Sequence, residues 1–177
     1  LHTLHIFTGK VASFRNGEHI GVLAGSGKES IDFPSPVGRI TVFHLGHPEP
    51  VTLPRYLPGI QEISLKGGLA ENYLHGLAKT IAALGLTSTA SRKQKLGAIM
   101  KKMLPLFPAP KKRRLSGARV DITGVRHGNK VRITYATADR MNRLTGIPLS
   151  IGASMLARGA IERTGVYGPE AKGAINP

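Results

Sequence analysis

The chain has 177 residues, of which 41% are hydrophobic, 25 are Lys or Arg and 10 are Asp or Glu, for a net charge of +15 and no cysteine. That is enough apolar material for one domain with a core, and the missing thiols exclude disulfides, thiolate nucleophiles and Cys-ligated zinc. No apolar run approaches the roughly 18 residues of a membrane-spanning helix, no secretory signal pattern opens the chain, and an aromatic content of 5% without tryptophan disfavours a base-stacking surface; a cytoplasmic protein is expected.

The chain enters at Leu1 directly into a strand-like run, Leu1 to Phe7, as a piece of a longer protein would. A turn-rich stretch through Gly9, Asn16 and Gly17 follows, then a short strand from His19 to Ala24. Gly25 to Lys28 (GSGK) is read as a turn. A phosphate loop needs glycine where Val22 stands and Ser or Thr where Glu29 stands. Glu29 to Phe33 is a short strand closed by Pro34 and Pro36. Ile40 to Leu45 is apolar on both faces, which suits a central strand.

Gly46 to Gly59 (GHPEPVTLPRYLPG) places His47, Glu49, Thr52 and Arg55 among four prolines. Proline fixes φ and lacks an amide donor, so this connection is expected to be a stiff, irregular loop presenting polar side chains. Ile60 to Leu65 is the next strand, ended by Gly67 and Gly68. Leu69 to Leu84 has helical spacing in Leu69, Tyr73, Leu77, Ile81 and Leu84, with Gly85 as its stop. After a polar loop, Ser91 is expected to cap a helix over Arg92 to Leu104 with Leu96, Ile99, Met100 and Met103 inward. Pro105, Pro108 and Pro110 stop it, leaving residues 105–116 as an exposed, basic, proline-rich connection.

Arg119 to Gly124 and Lys130 to Thr137 alternate as a β-hairpin about a glycine–asparagine turn within Arg126 to Asn129. Asp139 to Leu144 reads as a helical turn or a loop. Thr145 to Pro148 reads as a breaker before a small-residue helix, Leu149 to Arg158, ended by Gly159. Little periodicity follows Gly165. With strands outnumbering helices and no strict alternation, the expected fold is one α+β domain over residues 1–177, with a largely antiparallel or mixed sheet and helices on one face.

Three segments carry a family resemblance: GHPEPVTLPRYLPG, the Gly67–Gly68 pair with the helix after it, and Thr145 to Glu170 (TGIPLSIGASMLARGAIERTGVYGPE). Together they resemble the C-terminal substrate domain of the saccharopine dehydrogenase-like family. The resemblance implies a fold like the C-terminal domain of glyceraldehyde-3-phosphate dehydrogenase, a homodimer, and a Rossmann domain elsewhere in the same chain. It implies hydride transfer between NAD or NADP and a CH–NH carbon of lysine, saccharopine or a related amino acid. No G-x-G-x-x-G follows a strand here, so the cofactor is expected on the other domain and neither cofactor binding nor turnover is expected of this piece alone. For such a substrate, His47 and Glu49 are the candidate acid–base groups. Arg55, with Thr52 beside it, is the first candidate for the substrate carboxylate and Arg143 the second, because a guanidinium offers two parallel donors. Thr145 and Glu170 are read as a helix cap and a backbone anchor. His44, His47 and Glu49 could be drawn as a metal triad, but no further ligands support it and no metal is expected.

The charge admits another reading. Nine of the 25 basic residues lie between Ser91 and Arg114 with no acid among them, leaving 16 basic and 10 acidic residues elsewhere. A solvated face is the plain interpretation. A non-catalytic basic module for nucleic acid or an anionic partner is the functional alternative, and an oligomerisation scaffold is a third.

Overall fold

A computed structural model describes residues 9–68, 89–103 and 115–175. The strand expected at Leu1 to Phe7, the helix at Leu69 to Leu84 and most of the basic connection at 105–116 lie outside the described residues. Among the described residues, three small antiparallel sheets and three helices form a mixed α+β arrangement. The described residues fall into two compact units: 9–30, 41–68, 89–103 and 161–175 in the first, 31–40 and 115–160 in the second.

The first unit is built on β1 (Lys10–Arg15), which lies between β2 (Glu18–Leu23) and β5 (Glu62–Ile63). Between Phe7 and His19 the sequence suggested only turns. The signal was Asn16-Gly17: both take positive φ, 53° and 79°, and such a two-residue turn matches the twist of the strands it joins. Phe14 pairs with His19 on one side and Ile63 on the other, its ring meeting the His19 ring edge-on at 5.0 Å. Val11, Ser13 and Phe14 are buried, and the Ser13 hydroxyl donates to the Ile63 carbonyl at 3.1 Å, so the polar group is satisfied.

β3 (Glu29–Phe33) and β4 (Gly38–His44) form a hairpin whose turn is closed by the Val37 N–H on the Pro34 carbonyl at 3.0 Å. β4 continues to pair with β6 (Lys66–Gly67), so it is the central strand its two apolar faces suggested. Of the strand expected at Ile60 to Leu65 only Glu62–Ile63 forms, on β1; the chain then changes partner and Lys66–Gly67, past the expected end, joins β4. Val42, Phe43, His44 and Leu45 are buried. Ala171 and Ala174, each 2% exposed, complete this core from the non-periodic tail. There the Arg163 guanidinium stacks 4.9 Å from the Tyr167 ring centroid and donates to the Lys172 carbonyl at 2.7 Å. α2 (Ala90–Met103) starts two residues earlier than expected, with the Thr89 hydroxyl, not Ser91, accepting the Arg92 N–H at 3.2 Å.

The second unit contains the hairpin of β7 (Ser116–Arg126) and β8 (Asn129–Asp139), longer than the alternation indicated. Its turn residues are His127 and Gly128, with φ of 51° and 78°, rather than glycine and asparagine. Gly117 meets Phe33: a Cβ there would stand 2.4 Å from the ring. The Arg119 guanidinium reaches the Asp32 carbonyl at 2.6 Å.

α3 (Met141–Ala157) runs through the expected breaker. The helix begins seven residues before Pro148, where the Arg143 and Leu144 N–H groups reach the Arg140 carbonyl and Asp139 pairs with Arg143. Pro148 therefore sits in the interior and forfeits one amide bond. Thr145 is no cap: its hydroxyl bonds back to the Met141 carbonyl at 3.0 Å, inside the helix. Gly159 does end the helix, at φ 69°, with the Ala160 N–H on Met155 and its own on Leu156.

Candidate active site

The proline-rich stretch is a helix, not an irregular loop. α1 (Glu49–Tyr56) begins immediately after Pro48, whose carbonyl accepts the Val51 and Thr52 N–H groups at 2.8 and 3.0 Å. Pro50 falls in the first turn, where its missing donor has no intrahelical partner to lose. Only Pro54 removes a bond, the one to the Pro50 carbonyl, and the last turn still closes through the Leu57 N–H on Leu53 at 2.9 Å. Pro50 is fully buried and α1 packs against β1, so the prolines seat a short helix on the core.

That seating positions the candidate groups. His47 Nδ1 stands 3.0 and 3.2 Å from the two Glu49 carboxylate oxygens. Both side chains are partly open to solvent, at 41% and 43%. Glu49 occupies the first turn, where the N-terminal end of the helix favours a negative charge. With Nδ1–H donating to the carboxylate, the neutral ring keeps Nε2 as an acceptor. A carboxylate that orients an imidazole in this way makes a proton-transfer pair.

Thr52 and Arg55 project from the same helix. Arg55 lies in the last turn, about 9 Å along the axis from Glu49 and turned about a third of a revolution from it, with Thr52 between. It is exposed and forms no ion pair among the described residues, so Glu49 pairs with His47 rather than with Arg55. Arg143 belongs to the second unit and is already engaged: Nε donates to Asp139 at 2.7 Å, four residues earlier on the chain. That bond holds the Arg143 guanidinium above its ordinary pKa and the Asp139 carboxyl below its own. Glu170 folds its carboxylate over Gly168.

The sequence offered His44 only as part of a strand face and of a metal triad without further ligands, and it gave Ser64 no role. The structure joins them: His44 Nδ1 lies 3.4 Å from the Ser64 hydroxyl. The imidazole also lies against Gly27, where a Cβ would come within 2.3 Å of it. The GSGK turn clasps this residue, the Gly25 N–H reaching the His44 carbonyl at 2.8 Å and the His44 N–H the Ser26 carbonyl at 2.9 Å. Burial holds the His44 imidazole below its ordinary pKa, and the charges of Lys66 and Arg15 add to this. The ring is therefore neutral at pH 7 and belongs to the core. Among the described residues no three His, Asp or Glu side chains converge, so His44, His47 and Glu49 do not gather as a triad.

No helix among the described residues is long and apolar enough to cross a membrane. Neither a protein-family model nor a curated protein matches the chain.

Proposed function

We propose that the chain is the substrate-binding and dimerisation domain of an NAD(P)-dependent oxidoreductase of the saccharopine dehydrogenase kind, acting on a CH–NH bond of an amino acid. The observation that carries this reading is the His47–Glu49 pair at the start of a proline-seated helix that also bears Thr52 and Arg55. His47, oriented by Glu49, moves the proton of the reacting amine. Arg55 takes the substrate carboxylate through two parallel N–H donors, with Thr52 adding a hydroxyl. The spacing along α1 suits a substrate whose carboxylate and reacting amine stand several bonds apart, such as lysine or saccharopine. NAD or NADP, held by a nucleotide-binding domain, accepts or gives the hydride. Under this reading the domain shares the fold of the C-terminal half of glyceraldehyde-3-phosphate dehydrogenase and works in the cytoplasm.

Calorimetric titration of the chain with lysine and with saccharopine tests it. Binding weakened at least tenfold by Arg55→Gln, and weakened as well by His47→Gln, is the expected result. Affinity unchanged by both substitutions would overturn the assignment. A second reading rests on α2, which bears Arg92, Lys93, Lys95, Lys101 and Lys102 and no acid. A basic module for nucleic acid would give RNA or DNA binding that falls steeply with added salt and is lost when Lys111 to Arg114 are neutralised.

A further inference from the structure

His44 and Ser64 take no part in the site on α1, yet they join a buried imidazole to an exposed hydroxyl. Ser64 stands in the irregular link between β5 and β6, open to solvent, while His44 is only 8% exposed. Both partners are held from either side. The Ile63 carbonyl before Ser64 accepts the Ser13 hydroxyl at 3.1 Å, and the Leu65 carbonyl after it accepts the Leu45 N–H at 3.4 Å. The GSGK turn binds both the N–H and the carbonyl of His44, and Gly27 lies so close to the ring that any side chain there would strike it. A ring fixed in this way keeps Nδ1 towards the Ser64 hydroxyl, at 3.4 Å. A working nucleophile and base close to about 2.6–3.2 Å, and the contact is often looser before substrate arrives.

We propose that Ser64 is a nucleophile towards acyl esters, with His44 Nδ1 as its base. The Ser64 oxygen adds to the ester carbonyl carbon while its proton passes to His44 Nδ1. The adduct then collapses: the bond to the leaving oxygen breaks, and that oxygen departs with the His44 proton as an alcohol or phenol. Water repeats both steps on acyl-Ser64. It adds to the acyl carbon, gives a proton to His44 and expels the Ser64 oxygen, which takes that proton back as the carboxylic acid leaves. The neutral ring can accept a proton at Nδ1 when its own rests on Nε2. The charges that act on it are those of Lys66, opposite His44 in the β4–β6 ladder, then Arg15, then Glu29, which bonds Lys66 at 2.7 Å. The two cations outweigh the carboxylate, and a positive field favours the negative charge that grows on the acyl oxygen. Nothing in this reaction draws on α1, so it and the amino-acid reading can each fail alone.

The probe is p-nitrophenyl acetate, with the full chain mapped by mass spectrometry for acetylated peptides. Acetylation of Ser64 should outpace that of the exposed Ser91 by about a hundredfold or more, the usual contribution of a positioned base. Ser64→Ala should abolish it and His44→Gln should slow it to the Ser91 rate, while Ser91→Ala leaves it unchanged. The rate should rise through the folded pKa of His44, below about 6.5, and level off above it, because only the neutral ring takes the proton. Should His44→Gln fail to fold, this plateau in the wild-type protein decides. Labelling of Ser64 no faster than that of Ser91, a rate indifferent to His44→Gln, or one that keeps climbing with hydroxide instead of levelling off each overturns the proposal.

Discussion

The two units are held together by different forces. Every buried side chain among the described residues belongs to the first: Val11, Phe14, Val42, Phe43, Leu45, Pro50, Ala171 and Ala174, with Ser13 and His44 beside them. The second has none. Its ladder of paired strands and its carboxylate–guanidinium contacts, Asp32–Arg39, Asp121–Arg119 and Asp139–Arg143, lie at the surface, while Val120, Ile122, Tyr135, Leu149 and Leu156 face solvent. Surface ion pairs contribute little each, whereas burial of one large apolar side chain contributes about 1.5–3 kcal/mol. The difference teaches where each unit gets its order. The first carries its own core and can seat a site, and the second exposes what a core would use.

Truncation gives the largest contrast. Phe14→Ala should cost about 3–5 kcal/mol in a denaturant titration, the usual loss for a buried ring. Ile122→Ala, at a side chain that faces solvent, should cost less than about 1 kcal/mol. Equal losses at both positions would erase the distinction.

Glycine substitutions come next. Gly27→Ala combines a φ of 64° with a contact on the His44 ring and should cost about 2–3 kcal/mol by the same titration. Gly117→Ala meets the Phe33 ring in the second unit and should cost about 1–2 kcal/mol. The order should reverse if the second unit is the more rigid one.

Acid should separate the units most gently. His44 has a folded pKa below its unfolded value of about 6.5. The unfolded chain therefore binds its proton first, and the first unit loses stability as pH falls below about 6.5 towards the folded value. Arg39 holds the Asp32 carboxyl down, Arg119 that of Asp121, and Arg143 that of Asp139. Their contribution is complete above the ordinary carboxylate range and is lost only as pH falls through the folded values, well into acid. Circular dichroism during an acid titration should show the first loss above pH 4, and His44→Gln should remove it. A single transition in the carboxylate range alone would mean that His44 does not couple to folding.

Local pattern and chain chemistry determined much of this molecule. The proline-bounded strand at Glu29–Phe33, the alternation along β7–β8, the two apolar faces of β4, the stop at Gly159 and the mixed antiparallel class were all legible, because each depends on neighbours within a few residues. Tertiary structure decided the rest. Four prolines argued for a loop at 46–59, yet Pro50 in the first turn and a buried seat on β1 made a helix there. The strand expected at Ile60 to Leu65 was cut to Glu62–Ile63 by a change of partner that no residue within it announces. Ala171 and Ala174 entered the core from a stretch without period, and His44 met Ser64 across 20 residues. Spacing along a chain encodes its own helical or pleated faces, but which distant segment covers a face is settled only when the chain closes on itself.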